Sequence, residues 1–233
     1  MAVYVTKRAK ANSALKVSGV LPANEAIAAL KKFKAPKFDQ TINVCLWLGV
    51  DPKQADQALR GSISLPKGIG KTKRVIAFCN SELAQKALAT GAVKAGGEEL
   101  VSEIEKGWMD FDVAIASPDM MRVVSKLGKV LGPKGLMPSP KAGTVTPNVP
   151  DAVKEYAAGK VEFRTDQFGN VHAVIGKMSF APGDLAANLE HFIHAIEKVR
   201  PSTAKGQYIK RITVSGSMTP GVQVKHVSAI EAE

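Results

Sequence analysis

Cysteine is nearly absent from this 233-residue chain: only Cys45 and Cys79 occur. Each sits inside an apolar run with no second Cys or His at metal-ligand spacing, so both read as small core residues and not as a disulfide or a zinc site. Histidine is scarce too. His191 and His194 lie three apart on a helical pattern and could share a metal, but no carboxylate or third histidine is placed by sequence to complete the site. No apolar run approaches the ~20 residues that span a bilayer. The opening MAVYVTKRAKAN lacks the apolar core of a signal peptide. These absences lead us to expect a cytoplasmic protein without membrane contact. No serine stands in a nucleophile elbow and neither cysteine has a base in a local signature, so no catalytic residue is assigned and an enzyme is disfavoured.

Positive charge is what the chain has in excess, with 32 Lys and Arg against 21 Asp and Glu, a formal net charge of +11. That balance suits a polyanion, and nucleic acid before membrane, because no basic amphipathic helix with aromatic anchors is visible. The excess is uneven. Residues 1–67 carry eleven basic and four acidic side chains, residues 160–233 nine and seven, and residues 68–159 twelve and ten. The two ends therefore hold nearly all of it.

Hydrophobic pattern divides the chain at the same places. KRVIAFCN reads as a buried strand, Ser81 as the cap of a helix through ELAQKALA, EELVSEIEKG as another helix, and DVAIA as a second buried strand. Ser117 and Pro118 form a cap and first-turn pair leading into a helix DMMRVVSKLGKVLG. Strand alternating with helix implies a parallel sheet covered on both faces, a small doubly wound domain.

The flanks differ. ANEAIAALKKF is an amphipathic helix, and FDQTINVCLWLGV alternates, with Ile42, Val44, Leu46 and Leu48 on one face and Thr41, Asn43, Cys45 and Trp47 on the other. KVEFRTDQFGNVHAVIG reads as two strands joined at a turn around Phe168, Gly169 and Asn170. DLAANLEHFIHAIEKV is helix, and YIKRITVSGS and GVQVKHV are strands. Neither flank can close a core alone. The fold class expected is thus mixed α/β and α+β: one discontinuous α+β domain made of residues 1–67 and 160–233, with residues 68–159 inserted. The crossings, at SLPKGIGK and near AAGK, are rich in small residues and would permit a hinge.

Three motifs test other chemistries. GIGKT at Gly68–Thr72 lacks the glycine five positions before Gly70, where Leu65 stands, and precedes a strand instead of opening a helix, so it is not a phosphate loop. A dinucleotide fingerprint is missing after the first strand of the inserted segment. GPKG at Gly132–Gly135 matches the G-x-x-G clamp of one RNA-binding module, but LMPSP follows it and cannot be helical. The surrounding segment, Gly132 to Pro150, holds five prolines and three glycines in nineteen positions. Fixed φ values make it a shaped surface and not a linker.

Three blocks in order, KFDQTINVCLWLGVDPKQADQALRGSISLPKGIGK, GPKGLMPSPKAGTVT and GKVEFRTDQFGNVHAVIGKMSF, resemble the ribosomal protein L-one family of the bacterial large subunit over essentially the whole length. The resemblance implies a discontinuous α+β domain from both termini and an inserted Rossmann-like three-layer domain. It also implies a structural constituent of the large subunit, monomeric within the ribosome and needing no cofactor. Such a protein binds large-subunit ribosomal RNA to form the mobile stalk, assists release of exit-site transfer RNA, and represses translation of its own operon messenger RNA. Carried over by position, the RNA-binding set is Glu25, Lys37, Phe38, Thr41, Arg164, Thr165, Asp166, His172, Ser217, Met218 and Thr219. Lys134 and Lys141 charge the proline-rich segment, which we expect to cover the small sheet and make secondary contact with RNA.

In that family a Thr-Met-Gly stands where this chain has Ser217, Met218 and Thr219. A β-branched residue fits poorly if the backbone there needs positive φ. Lys37 and Arg164 would supply phosphate charge, Phe38 would stack on a base or anchor the sheet, and Thr41 and Ser217 would read 2′-hydroxyls. Asp166 has the alternative task of orienting its turn. The competing reading of the whole chain is a nucleotide-dependent enzyme built on the inserted domain.

Overall fold

The computed structural model describes residues 5–54 and 56–226. Val227, the last residue of the final expected strand, lies outside them. The elements begin with helix α1 (Lys7–Ala14), strand β1 (Val20–Leu21), helix α2 (Ala23–Lys32), and strands β2 (Thr41–Leu48) and β3 (Arg60–Ile63). Strand and helix then alternate through β4 (Val75–Phe78), α3 (Ser81–Ala89), β5 (Lys94–Gly96), α4 (Glu98–Glu105) and β6 (Val113–Ala116). Short helices α5 (Met121–Val124) and α6 (Gly128–Leu131) precede α7 (Val149–Ala157), β7 (Val161–Arg164) and β8 (Asn170–Lys177). The long α8 (Pro182–Lys198) and strands β9 (Ile209–Gly216) and β10 (Val222–Val224) complete a mixed α/β chain. Two compact units are present: Met1–Leu59 with Leu65–Gly70 and Phe163–Glu233, and Arg60–Ser64 with Lys71–Glu162.

The first unit is built on a sheet of order β1-β10-β9-β2-β8, in which β2 runs antiparallel to both β8 and β9. The alternation of β2 is realised: Ile42, Val44, Leu46 and Leu48 are buried, while Thr41, Asn43 and Cys45 are half-buried and Trp47 is exposed. Helices α2 and α8 cover the apolar face. Leu185, Leu189, Phe192, Ile193 and Ile196 of α8 recur at helical spacing and are buried, and Phe192 meets Phe163 edge-on at 6.3 Å. Each such side chain contributes about 1.5–3 kcal/mol of burial free energy.

Asn188, fully buried in α8, ties the glycine-rich segment down. Its side chain accepts from the Lys67 N–H at 3.1 Å and donates to the carbonyls of Gly68 and Ile175 at 3.0 and 2.9 Å. Gly70 has φ of +71°, and a Cβ there would meet the Phe180 ring at 2.8 Å. The glycines of GIGKT thus answer a turn and a close packing contact.

The second unit has a parallel sheet of order β5-β4-β6. Val75, Ala77 and Ile115 pack with Val153 and Tyr156 on one face, and Ile76 and Phe78 pack with Ile104 and Leu127 on the other. Burial on both faces explains why VIAF and VAIA are apolar without alternation.

Three local expectations need correction. The helix expected over DMMRVVSKLGKVLG breaks into a 3₁₀ turn Pro118–Met120, α5, a second 3₁₀ turn Ser125–Leu127, and α6. Gly128, inside the expected helix, costs about 1 kcal/mol of helix propensity relative to alanine, whereas Gly132 caps the end of α6. Ser81 lies inside α3, whose N-cap is Asn80, and Ser117 does precede Pro118 as N-cap but makes no side-chain capping bond. Strands β7 and β8 are not a continuous hairpin: they touch through the single bridge Thr165–Val171, β7 pairs with β3, and β8 pairs with β2. Helix α7 grows out of the proline-rich segment, with Pro150 in its first turn, where its missing N–H costs nothing.

The rest of that segment is an edge to the small sheet. Val145 bridges Ala116 in parallel, the Ala116 N–H donates to Thr144 O at 2.9 Å, and the Thr146 N–H donates to Ala116 O at 3.1 Å. The buried Tyr156 hydroxyl donates to Ala142 O at 2.6 Å. Burial pushes the pKa of this phenol up to about 12.

Candidate nucleic-acid interface

Thr41 opens β2, and the turn at Ser217–Thr219 closes β9 beside it. The Ser217 N–H and hydroxyl both donate to Thr41 O, at 3.0 and 3.2 Å, joining residues 176 positions apart. Gln40, fully buried beneath them, accepts from the Met218 N–H at 2.9 Å through its side chain and from the Met178 N–H at 2.8 Å through its backbone. Lys177 Nζ donates to Thr41 Oγ1 at 2.9 Å. Ser217 and Met218 are left exposed, Met218 by 51%. A hydroxyl, an ammonium and an adaptable thioether side chain therefore share one surface turn.

Thr219 fits that turn without strain. No described non-glycine residue has positive φ, so the β-branched side chain occupies ordinary backbone. Thr219 Oγ1 accepts from the Gly216 N–H at 2.9 Å, and the Thr219 N–H returns a bond to Gly216 O at 3.2 Å. The concession is made at Gly216, where a Cβ would lie 2.9 Å from that hydroxyl and 3.2 Å from Gln40 Oε1. A glycine at position 216 is the condition for a threonine at 219.

Asp166 organises a second turn, next to β8. Its carboxylate accepts from the Phe168 and Asn170 N–H groups at 2.8 and 2.7 Å and from Asn170 Nδ2 at 2.9 Å. Partial burial raises its pKa, but these bonds outweigh that and hold the carboxyl at about 2. Exposed His172 lies 3.6 Å from it. Arg164 is exposed at the end of β7. Thr165 is buried, and its hydroxyl accepts from the Leu59 N–H at 3.2 Å and donates to Leu59 O at 3.3 Å, so it anchors the segment that carries its neighbours.

Lys37 and Phe38 lie on the loop before β2, and Phe38 is 54% exposed while Phe33 is buried. An exposure of that size speaks against an anchoring role in the sheet and leaves the Phe38 ring open to solvent. Glu25 is exposed in the first turn of α2, where a negative charge complements the helix N-terminus. Among the described residues no hydrogen bond or ion pair joins it to the Thr41 cluster. Lys134 and Lys141 are exposed in the second unit. His194 Nδ1 lies 3.2 Å from Glu197 Oε2.

Two residues of the cluster were not singled out by sequence. Gln40 and Lys177 sit at the ends of strands, where spacing alone gives no hint that a side chain will fold over a neighbouring strand. The five strands of this sheet contain no Asp or Glu but do contain His172, Lys177, Lys210 and Arg211. Among the described residues, Asp166 in the turn beside His172 is the one carboxylate whose charge reaches the uncovered face, and Lys177, Lys210 and Arg211 outnumber it, so the face favours an anion. Cys45 on that face is held neutral: burial first, then the charge of Asp166, raises its pKa.

Known proteins resemble the chain over nearly its full length. The large ribosomal subunit protein uL1 of Neisseria meningitidis serogroup C (strain 053442) is 50% identical over 221 residues, covering 94% of this chain and 96% of that protein. The uL1 of Neisseria meningitidis serogroup C / serotype 2a (strain ATCC 700532 / DSM 15464 / FAM18) matches to the same extent. The model of the ribosomal protein L1p/L10e family matches residues 30–220, a span that takes in both turns described above, and the chain belongs to that family.

Proposed function

We propose that the chain is a constituent of the large ribosomal subunit and binds large-subunit ribosomal RNA through the surface around Thr41, Ser217 and Met218. As a family member it is a structural ribosomal protein and not an enzyme. The observation that carries the RNA reading is the Thr41–Ser217 junction. It holds hydroxyls and Lys177 on an exposed turn at the end of an acid-free sheet. Thr41 and Ser217 offer hydroxyls to ribose 2′-OH groups, Met218 and Phe38 offer apolar surface to sugars or bases, and Lys37, Arg164 and Lys177 offer charge to phosphates. Glu25, Asp166, His172 and Thr219 act beside them, Asp166 and Thr219 by shaping the turns.

In this reading residues 1–67 and 160–233 act as the gripping body. Residues 68–159 form an inserted Rossmann-like body whose Lys134 and Lys141 make secondary contacts. The complex forms the mobile stalk, with exit-site transfer RNA and the protein's own operon messenger as further RNA partners.

The test is equilibrium binding to a stalk ribosomal RNA fragment over a range of salt. The three cations Lys37, Arg164 and Lys177 on phosphates predict a log–log salt slope of at least about −2 to −3, steeper with each further phosphate contact. Combined Thr41→Val and Ser217→Ala changes should weaken binding more than combined Lys134→Gln and Lys141→Gln changes. Equal losses from the two pairs would overturn the assignment of the main grip to the first surface.

A further inference from the structure

Trp47 is a bulky aromatic side chain left 41% exposed in the uncovered face of the sheet, where burial would be the default for its size. Its setting is built by an irregularity of pairing. Trp47 lies opposite Arg211 and Leu48 opposite Ile209, so Lys210 is an extra residue with no partner on β2. Such a bulge re-aims side chains, and here two consecutive cations reach one ring: Lys210 Nζ lies 5.0 Å and Arg211 Cζ 5.9 Å from the indole centroid. Lys210 and Arg211 also line a cleft of about 320 Å³ with Gln207, Gln223 and Lys225. The cross-strand neighbour on the other side is the neutral Asn170, whose side-chain amide donates to the Asp166 carboxylate at 2.9 Å, so the cations lie on the β9 side of the ring and the nearest acid on the β8 side. An aromatic platform flanked by cations, with no carboxylate on any of the five strands, has the chemistry of single-stranded nucleic-acid binding.

We propose that Trp47 stacks on an unpaired base of the bound ribosomal RNA while Lys210 and Arg211 take the adjoining phosphates. This proposal rests on the RNA reading above. It extends the contact along β2 from Thr41 to Trp47, six residues or about 20 Å, so one RNA strand lies across the open face.

The experiment uses the full chain with Trp108→Phe, leaving Trp47 as the sole tryptophan of the two. Its emission is followed while a stalk ribosomal RNA fragment with unpaired bases, or a fully paired RNA of equal length, is added, and affinities are measured independently by filter binding. The unpaired fragment should quench Trp47, and the paired RNA should not. Trp47→Ala should weaken binding of the fragment by at least about 5-fold and Trp47→Phe by less, since stacking is worth roughly 1–3 kcal/mol per base. Circular dichroism checks folding; should Trp47→Ala unfold, the quenching and Trp47→Phe decide alone. Fragment binding with unchanged emission and unchanged affinity in the Trp47 variants overturns the stacking site alone. Equal quenching by paired RNA also overturns it, leaving charge as the attraction. Failure of the parent chain to bind the fragment overturns the RNA reading itself.

Discussion

Replacing Thr219 by Val isolates the bond that closes the Ser217–Thr219 turn. Shape and β-branching are kept, and the acceptor for the Gly216 N–H is lost. Gly216 is buried, so its N–H cannot turn to water. A neutral hydrogen bond contributes about 1 kcal/mol, and an orphaned buried donor costs roughly 1–3 kcal/mol, so the loss expected is about 1–2 kcal/mol. For a chain of this size each kcal/mol moves Tm by about 2–4 °C, so calorimetry should show a fall of roughly 2–8 °C. Thr219→Ser keeps the hydroxyl and should recover most of it. Affinity for the stalk RNA fragment should follow the same order, because this turn presents Ser217 and Met218. A Thr219→Val protein melting within about 1 °C of the parent would refute the argument that Thr219 is held by, and holds, Gly216.

Two titrations follow from the same geometry. The Asp166 carboxyl, held at about 2, contributes stability above its unfolded value of about 3.9 and loses it as pH falls through 2. Asp166→Asn should therefore flatten acid unfolding between about pH 4 and 2, and solvent screening limits its cost at neutral pH to about 1 kcal/mol, read by denaturant titration. Tyr156 titrates in the opposite sense. Its phenol, pushed up to about 12 by burial, stabilises fully below the unfolded value of about 10 and loses that contribution as pH rises to 12. Tyr156→Phe should flatten part of the alkaline unfolding and cost about 1–3 kcal/mol at neutral pH by orphaning Ala142 O. Tyr208, also raised to about 12, keeps the remainder.

Period and burial made much of the fold legible. The faces of β2 and the two-sided burial of β4 and β6 are read directly from alternation and its absence, because a side chain's face is fixed by its position in the strand. Pairing was less legible. Nothing in VEFRTDQFGNVHAV announces that β7 leaves β8 after one bridge, since that choice depends on β3, about a hundred residues earlier in the chain. Helix α7 was hidden by composition. The prolines before it read as loop, although Val149, Ala152, Val153 and Tyr156 already stood at helical spacing.

The site divides along the same line. Residues whose part is to be exposed, such as Phe38 and Ser217, could be named from a resemblance by position. Residues that hold them there could not, because Gln40 supports Met218 across 178 positions and Lys177 reaches Thr41 across 136. Thr219 illustrates why the distinction matters. Judged singly, threonine in place of glycine suggests strain, yet the strain never arises because Gly216, three residues earlier, vacates the space its hydroxyl needs. Compatibility at that turn is a property of the pair, so Gly216→Ala should damage this chain more than the same change in a relative with glycine at the second position. There the alanine methyl would meet no hydroxyl.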